Sequence, residues 1–360
     1  MRQIQYLKKF VDCLLGLLSF SIALNTYNIT SAAPINKEIN NLRSTPKKVI
    51  FILNGLWRDI AIFDRTIAKL SSAFKAERLL VEVRKLPEER HMTGSKSITQ
   101  QATDAFEEIK QQLAGNEYEI ILIGHSQGGL RGAKILFLNE IQGKPLNIKG
   151  LITLSAPWEG VPAAAINKKL VHTFLNKSAV NYFIASRSFL YFAAIKLIDS
   201  FFVNQVFDHR YPTHELGVQD MAPNSKFLQE ISASLAENST PILAIGATSR
   251  NLERILPMSA NEKKCYRCYV KRLILGCLNI LYAWIFTNSW HTDHDMVVPL
   301  YSQVAQNTTK SAVFKTYIVN GAVHDILLFP SIPAEKMIYN QTEVIAYIVE
   351  FAKKEFIWSC

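Results

Sequence analysis

Cysteine is scarce in this chain: five in 360 residues, too few to staple a fold, so apolar packing must hold it together. Glycine, at 15, and proline, at 13, are too few for a collagen-like or low-complexity chain. Charged residues make up 19% against 49% hydrophobic, which excludes a disordered tail and leaves apolar material for one large core. Long basic runs are also missing. The Lys-Lys pairs start at positions 8, 47, 168, 263 and 353, too scattered for a nucleic-acid-binding arm, so no nucleic-acid partner is expected. What is in surplus is positive charge overall, +10 from 40 Lys and Arg against 30 Asp and Glu, a balance that favours anionic partners such as acidic lipid surfaces.

The first residues carry Arg2, Lys8 and Lys9, residues 14–24 (LLGLLSFSIAL) are almost wholly apolar, and Ser31-Ala32-Ala33 places small residues after them. That order reads as an export signal over 1–33, cleaved after Ala33, in a secreted, periplasmic or secretory-pathway protein. The apolar stretch is about half the roughly 20 residues of a spanning helix. A retained N-terminal anchor is the alternative, and Asp12 sits awkwardly in a signal. Cleavage leaves Cys265, Cys268, Cys277 and Cys360, an even number with three pairings that sequence does not distinguish. The Cys-x-x-Cys at 265 and 268 is also half of a zinc motif, but no second pair follows at a matching spacing.

From Pro46 onward, β-rich runs alternate with helical patterns, which predicts an α/β fold whose parallel sheet is flanked by helices. The strand candidates are 49–55, 79–86, 119–126, 150–157, 241–248 and 314–322, mostly short apolar runs, as strands covered on both faces should be. Helices are expected over 97–113 and 343–356. Two stretches are too long for plain connections and read as insertions into a domain spanning 34–360. The first, about 158–240, contains FLYFAAIKLIDSFFVNQVF at 189–207; the second, about 249–294, contains LILGCLNILYAWIF at 273–286 after the basic KKCYRCYVKR. Each is either extra core or an apolar cap over a site or interface.

The strongest motif is Gly124-His125-Ser126-Gln127-Gly128-Gly129, after the strand-like EIILI and before a helical pattern. Residue frequencies predict roughly 0.04 chance occurrences of G-x-S-x-G in such a chain. A serine on a sharp strand-to-helix turn needs glycines two positions either side so that the backbone folds tightly and pushes Oγ outward. The helix that starts there aims its positive end at the reacting carbon.

These residues resemble the nucleophile elbow of the lipase and esterase branch of the α/β-hydrolases. That resemblance implies an α/β-hydrolase fold with helical cap insertions and a catalytic triad in chain order Ser, acid, His. Ser126 is the expected nucleophile. His324, past the last strand in NGAVHDILL, follows every late acid and is the expected base. The acid should follow strand 241–248. Asp295 opens Asp-Met-Val-Val-Pro, which is similar to the family's Asp-Gly-x-Val-Pro followed by a serine, here Ser302, with Met296 in the glycine position. Asp293 is the runner-up. Gln127 is expected to give one oxyanion N–H, and Asn54-Gly55 resembles the family's His-Gly, so Leu56, or else Trp57, gives the other. Ser155-Ala156-Pro157-Trp158-Glu159-Gly160 and Asp220-Met221-Ala222-Pro223-Asn224-Ser225 resemble two further lipase segments.

The HTDHD run at 291–295 has a competing reading as a metal site, weakened because alternating spacing sends side chains to opposite faces. The resemblance implies no cofactor and no metal. It implies a carboxylic ester hydrolase, and the apolar 189–207, the basic 263–272 and the net charge point to a lipid acyl ester met at a membrane or lipid interface. A thioesterase, an acyltransferase on the same triad, and a catalytically silent lipid-binding member are the alternatives.

Overall fold

The computed structural model describes residues 46–86, 92–165, 214–249, 279, 292–324 and 332–357. The expected export signal, all five cysteines and most of both expected insertions (166–213, and 250–291 apart from Asn279) lie outside these residues. Among the described residues no helix is long and apolar enough to cross a membrane.

Among the described residues six parallel strands form one sheet: β1 Lys47–Leu53, β2 Val81–Leu86, β3 Tyr118–His125, β4 Ile148–Leu154, β5 Ile242–Thr248 and β6 Phe314–Asn320. Their spatial order is β2-β1-β3-β4-β5-β6. The helices used below are α1 Asp64–Ala76, α2 Ile98–Leu113, α3 Gln127–Ile141, α4 Lys226–Glu237 and α5 Thr342–Ile357. The chain leaves β1 for β2 on one side, then crosses back to β3 on the other. The loops leaving β1 and β3 therefore diverge at the carboxyl edge and open the crevice where α/β sheets place their sites.

Strand alternation splits the core in two. Ile50, Ile52, Ile121 and Ile123 face α1 and α5, meeting Leu70, Phe74, Ile348 and Phe356. Val49, Phe51, Leu53, Ile120 and Leu122 face α2, α3 and α4, meeting Phe106, Ile109, Leu130 and Ile231. Because both faces of β1 and β3 are covered, their sequences are apolar runs without alternation. β6 departs from that expectation. Among the described residues it pairs with β5 alone, and Lys315 through Ile318 are exposed, so this strand at the edge of the described sheet is not covered as the central strands are.

The helices start where the sequence supplies caps. Ser97 accepts from Gln100 N at 3.2 Å and Asp220 from Ile98 N at 2.7 Å, so two side chains satisfy orphan N–H groups of α2. Ser225 caps α4, accepting from Leu228 N. Of the first expected insertion, residues 158–165 and 214–240 are described, and they contribute core: Trp158, Val218, Phe227 and Ile231 are buried on the α2–α3 side of the sheet.

Candidate active site

Ser126 joins β3 to α3 with φ 56° and ψ −127°, a conformation that costs a non-glycine residue roughly 1–3 kcal/mol. It is held there from both sides. Its N–H donates to Leu154 O at 2.9 Å, as in a strand, and its carbonyl accepts from Gly129 N at 2.9 Å, as in a helix. The flanking glycines are steric requirements. A Cβ on Gly124 would lie 2.3 Å from Gly128 O, and one on Gly128 would lie 2.5 Å from Leu53 O and 2.6 Å from Asn54 O. With side chains at either position α3 could not start over the strand end. Ser126 keeps 8% exposure.

His324 and Asp295 meet beside it. Asp295 lies beyond β5 in the chain and is wholly buried; His324 follows β6 and is 4% exposed. His324 Nδ1 and Asp295 Oδ2 are 2.8 Å apart, and His324 N donates to the Asp295 carbonyl at 2.9 Å. Asp295 Oδ1 accepts from Val297 N at 3.1 Å and Val298 N at 2.8 Å. Burial alone pushes the Asp295 carboxyl pKa up. The His324 charge and hydrogen bond, the Val298 N–H and the Ser155 hydroxyl outweigh that and hold it below the ordinary 3.8. The His324 ring packs on the His125 ring with centroids 4.7 Å apart, which places it next to the residue preceding Ser126.

This arrangement decides the architecture. Parallel strands in the order 2-1-3-4-5-6, a strained serine between the third strand and its helix, and a buried Asp-His pair contributed after the fifth and sixth strands share one edge. It is the α/β-hydrolase fold.

Asp295, and not Asp293, faces His324; Asp293 is half-buried, and its backbone carbonyl accepts from Leu300 N at 2.7 Å. Met296, in the glycine position, takes φ 82° and is fully buried, its N–H donating to His294 Nδ1 at 3.0 Å. Ser302 is buried against the first of the two secondary motifs: its Oγ donates to Gly160 O at 2.8 Å and accepts from Glu159 N at 3.0 Å. Among the described residues no group of three His, Cys, Asp or Glu is placed to hold a metal ion.

For the oxyanion, Gln127 N–H is the first of α3, one of the amides a helix leaves without an internal acceptor. The loop after β1 lies directly on the elbow: a Cβ on Gly55 would be 3.0 Å from Ser126 Cβ. Of its two candidate donors, Trp57 N–H donates to Thr93 Oγ1 at 2.7 Å, while among the described residues no hydrogen bond engages Leu56 N–H. Trp57 itself has φ 52°, and its indole donates to Glu215 Oε2 at 2.9 Å. Among the described residues no hydrogen bond joins Ser126 Oγ to His324; in free enzymes such bonds are commonly long and tighten when substrate arrives.

Sequence reasoning missed the parts behind the acid. Gln303, wholly buried, bonds in four directions: Nε2 to Ala247 O at 3.1 Å and Val298 O at 2.8 Å, and Oε1 from Ala247 N at 2.6 Å and Ser155 Oγ at 3.1 Å. It ties the end of β5 and the residue after β4 to the Asp295 loop. Its signal was only an amide one residue after Ser302. Thr93 lies outside every motif.

No family model matches the chain, and no curated protein does. Solved structures similar to it include the product of the lin2722 gene of Listeria innocua, 10% identical over 86% of this chain and 94% of that one, TM-score 0.46. Another is the lipase BlEst2 of Bacillus licheniformis, 9% identical over 88% and 96%, TM-score 0.43. A third is the RedJ thioesterase of Streptomyces coelicolor, 10% identical over 91% and 98%, TM-score 0.39.

Proposed function

We propose that the protein is a serine hydrolase that cleaves carboxylic acyl esters through an acyl-serine intermediate. The observation that carries this is the strained Ser126 at a helix N-terminus with the buried His324–Asp295 pair packed against the residue before it. In this reading Ser126 Oγ attacks the acyl carbonyl as His324 Nε2 takes its proton. Asp295, held on Nδ1, fixes the imidazole tautomer and balances the positive charge that forms. The oxyanion is received by the Gln127 and Leu56 N–H groups at the positive end of α3. Collapse of the tetrahedral species expels the alcohol, which takes the proton from His324. Water then repeats the sequence on the acyl-enzyme and releases the acid. No step requires a cofactor.

The acyl group belongs to a lipid in this reading. Support comes from the net charge of +10 and the apolar 189–207 and basic 263–272 sequences, which suit an anionic lipid surface. A fluorophosphonate probe tests the nucleophile: it should label the wild type and leave Ser126→Ala unlabelled. Asp295→Asn should lower kcat for p-nitrophenyl esters by about 10³–10⁴-fold, because the amide favours the wrong imidazole tautomer, while Asp293→Asn should stay within about twofold. Hydrolysis of long acyl esters that rises at vesicle surfaces supports the lipid assignment. Full ester hydrolysis by Ser126→Ala defeats the whole reading.

A further inference from the structure

The helix that begins at the nucleophile carries a buried cation for which the acyl-transfer steps have no use. Arg131 lies on α3 five residues past Ser126 and is 1% exposed. Its Nη2 donates to Asn54 Oδ1 at 2.9 Å and to the Asn54 carbonyl at 3.4 Å, and Nη1 donates to Gln101 Oε1 at 3.5 Å. Asn54 is wholly buried and passes the contact on: its Nδ2 donates to Arg58 O at 2.7 Å, closing the 54–58 loop on itself. That loop holds Leu56 N–H.

The opposite end of the loop reaches the same frame. Trp57 N donates to Thr93 Oγ1, while Thr93 O accepts from Gln101 Nε2 at 3.0 Å and Gln127 Nε2 at 2.9 Å. One connected network therefore runs from Asn54 through Arg131, Gln101 and Thr93 to Gln127, and it joins the loop that carries Leu56 to the residue that bears the other oxyanion donor. A methionine at 131 would fill such a core with far less desolvation, so stability alone is a poor reason for a guanidinium there. A planar guanidinium that holds Asn54 through Nη2 and Gln101 through Nη1 fixes the orientation of the loop's first residue as well as its distance.

We propose that Arg131 is a positioning residue: through Asn54 it sets the placement of the Leu56 N–H relative to that of Gln127, and so the fit of the oxyanion site to the tetrahedral intermediate. This rests on the hydrolase reading above. The test compares wild type, Arg131→Met, Arg131→Lys and Asn54→Ser in p-nitrophenyl butyrate hydrolysis, with active sites counted by fluorophosphonate titration and affinity measured for an aryl boronic acid, which forms a tetrahedral adduct on the serine.

Arg131→Met should lose about 10- to 100-fold in kcat per titrated site, with KM within about twofold and a matching loss of boronate affinity. Arg131→Lys, which keeps one donor toward Asn54, should recover part of both. A role in folding alone would reduce the number of titrated sites and leave kcat per site unchanged, and that result overturns the proposal. So does failure of both Arg131→Met and Asn54→Ser to fold, since the network would then hold the domain and not the loop. If Arg131→Met alone fails to fold, Asn54→Ser decides on the same readouts. A wild type that the probe does not label at Ser126 refutes the hydrolase reading instead.

Discussion

Gly55→Ala separates catalysis from folding at this site. The backbone at Gly55 has no positive φ, so alanine fits the chain conformation, and the whole effect comes from one methyl group. Its carbon would stand 3.0 Å from Ser126 Cβ, 3.2 Å from His125 O and 3.3 Å from His125 Nδ1, against an optimum of about 3.5–4.0 Å between non-bonded carbons. Relief needs a shift of about 0.5 Å. The elbow is the stiffer partner, bonded to Leu154 and seated on Gly124 and Gly128, so the 54–58 loop is what moves, carrying Leu56 N–H with it. An oxyanion bond works at about 2.7–3.1 Å, and outright loss of one donor costs about 10²–10³ in kcat. A half-ångström lengthening should therefore cost about 10- to 50-fold in kcat, at little cost in KM. Overpacking should remove about 1–3 kcal/mol of stability. Steady-state hydrolysis of p-nitrophenyl butyrate, normalised by active-site titration, measures the first effect, and urea unfolding the second. Gly115→Ala is the reference: φ is 77° with nothing within 4 Å of a Cβ, so it should lose about 1 kcal/mol and no activity. If Gly55→Ala keeps kcat within twofold of wild type, the loop after β1 does not serve the oxyanion.

Much of this was legible because burial and chemistry left marks on the residue types. β1 and β3 read as strands because both faces are covered, which demands unbroken apolar runs. The elbow read as an elbow because the backbone passes so close to Leu53 O and Gly128 O that only glycine fits at 124 and 128. His324 stood out by following every late acid, and Asp295 by the Asp-Met-Val-Val-Pro segment it opens. What stayed hidden is the neutral scaffolding. Gln303 and Thr93 act through an amide and a hydroxyl that any loop can carry, and their roles appear only when distant segments come together: Gln303 with Ala247 and Val298, Thr93 with Trp57 and Gln127. Nor does a sequence pattern distinguish a solvated arginine on a helix from Arg131, whose burial depends on α2 packing over it with Gln101. β6 misled in the opposite sense, an apolar run at a sheet edge where tertiary position overrides local composition.

Two further outcomes follow from residues at the same edge. Met296→Gly installs the residue usual at this turn in the resembled family and should still destabilise. Relief of the φ of 82° is worth about 1–2 kcal/mol, whereas losing a wholly buried methionine side chain costs about 2–5 kcal/mol. The melting temperature should fall by several degrees; a variant as stable as wild type would mean that backbone strain dominates there. His125 gives a pH signature. Its ring is wholly buried, with neither nitrogen bonded, and burial first, then the charges of His324 and Arg58, hold its pKa well below 6.5. The native state thus leaves the ring neutral where the unfolded chain, titrating near 6.5, takes up a proton. The stability due to the neutral ring is complete above pH 6.5 and is lost progressively as pH falls from there toward the depressed native value. His125→Phe places a ring of similar shape among Phe63, Tyr339 and His324 and removes that proton uptake. Urea unfolding at pH 7.5 and 5.5 should show wild type losing about 1 kcal/mol more than the variant. Asp295 does not confound the comparison, because its pKa is lowered from 3.8 and its contribution is lost only at pH values below that range. Equal losses in the two proteins would mean that His125 is protonated in the folded state, and its ring could not then be the neutral surface on which His324 packs.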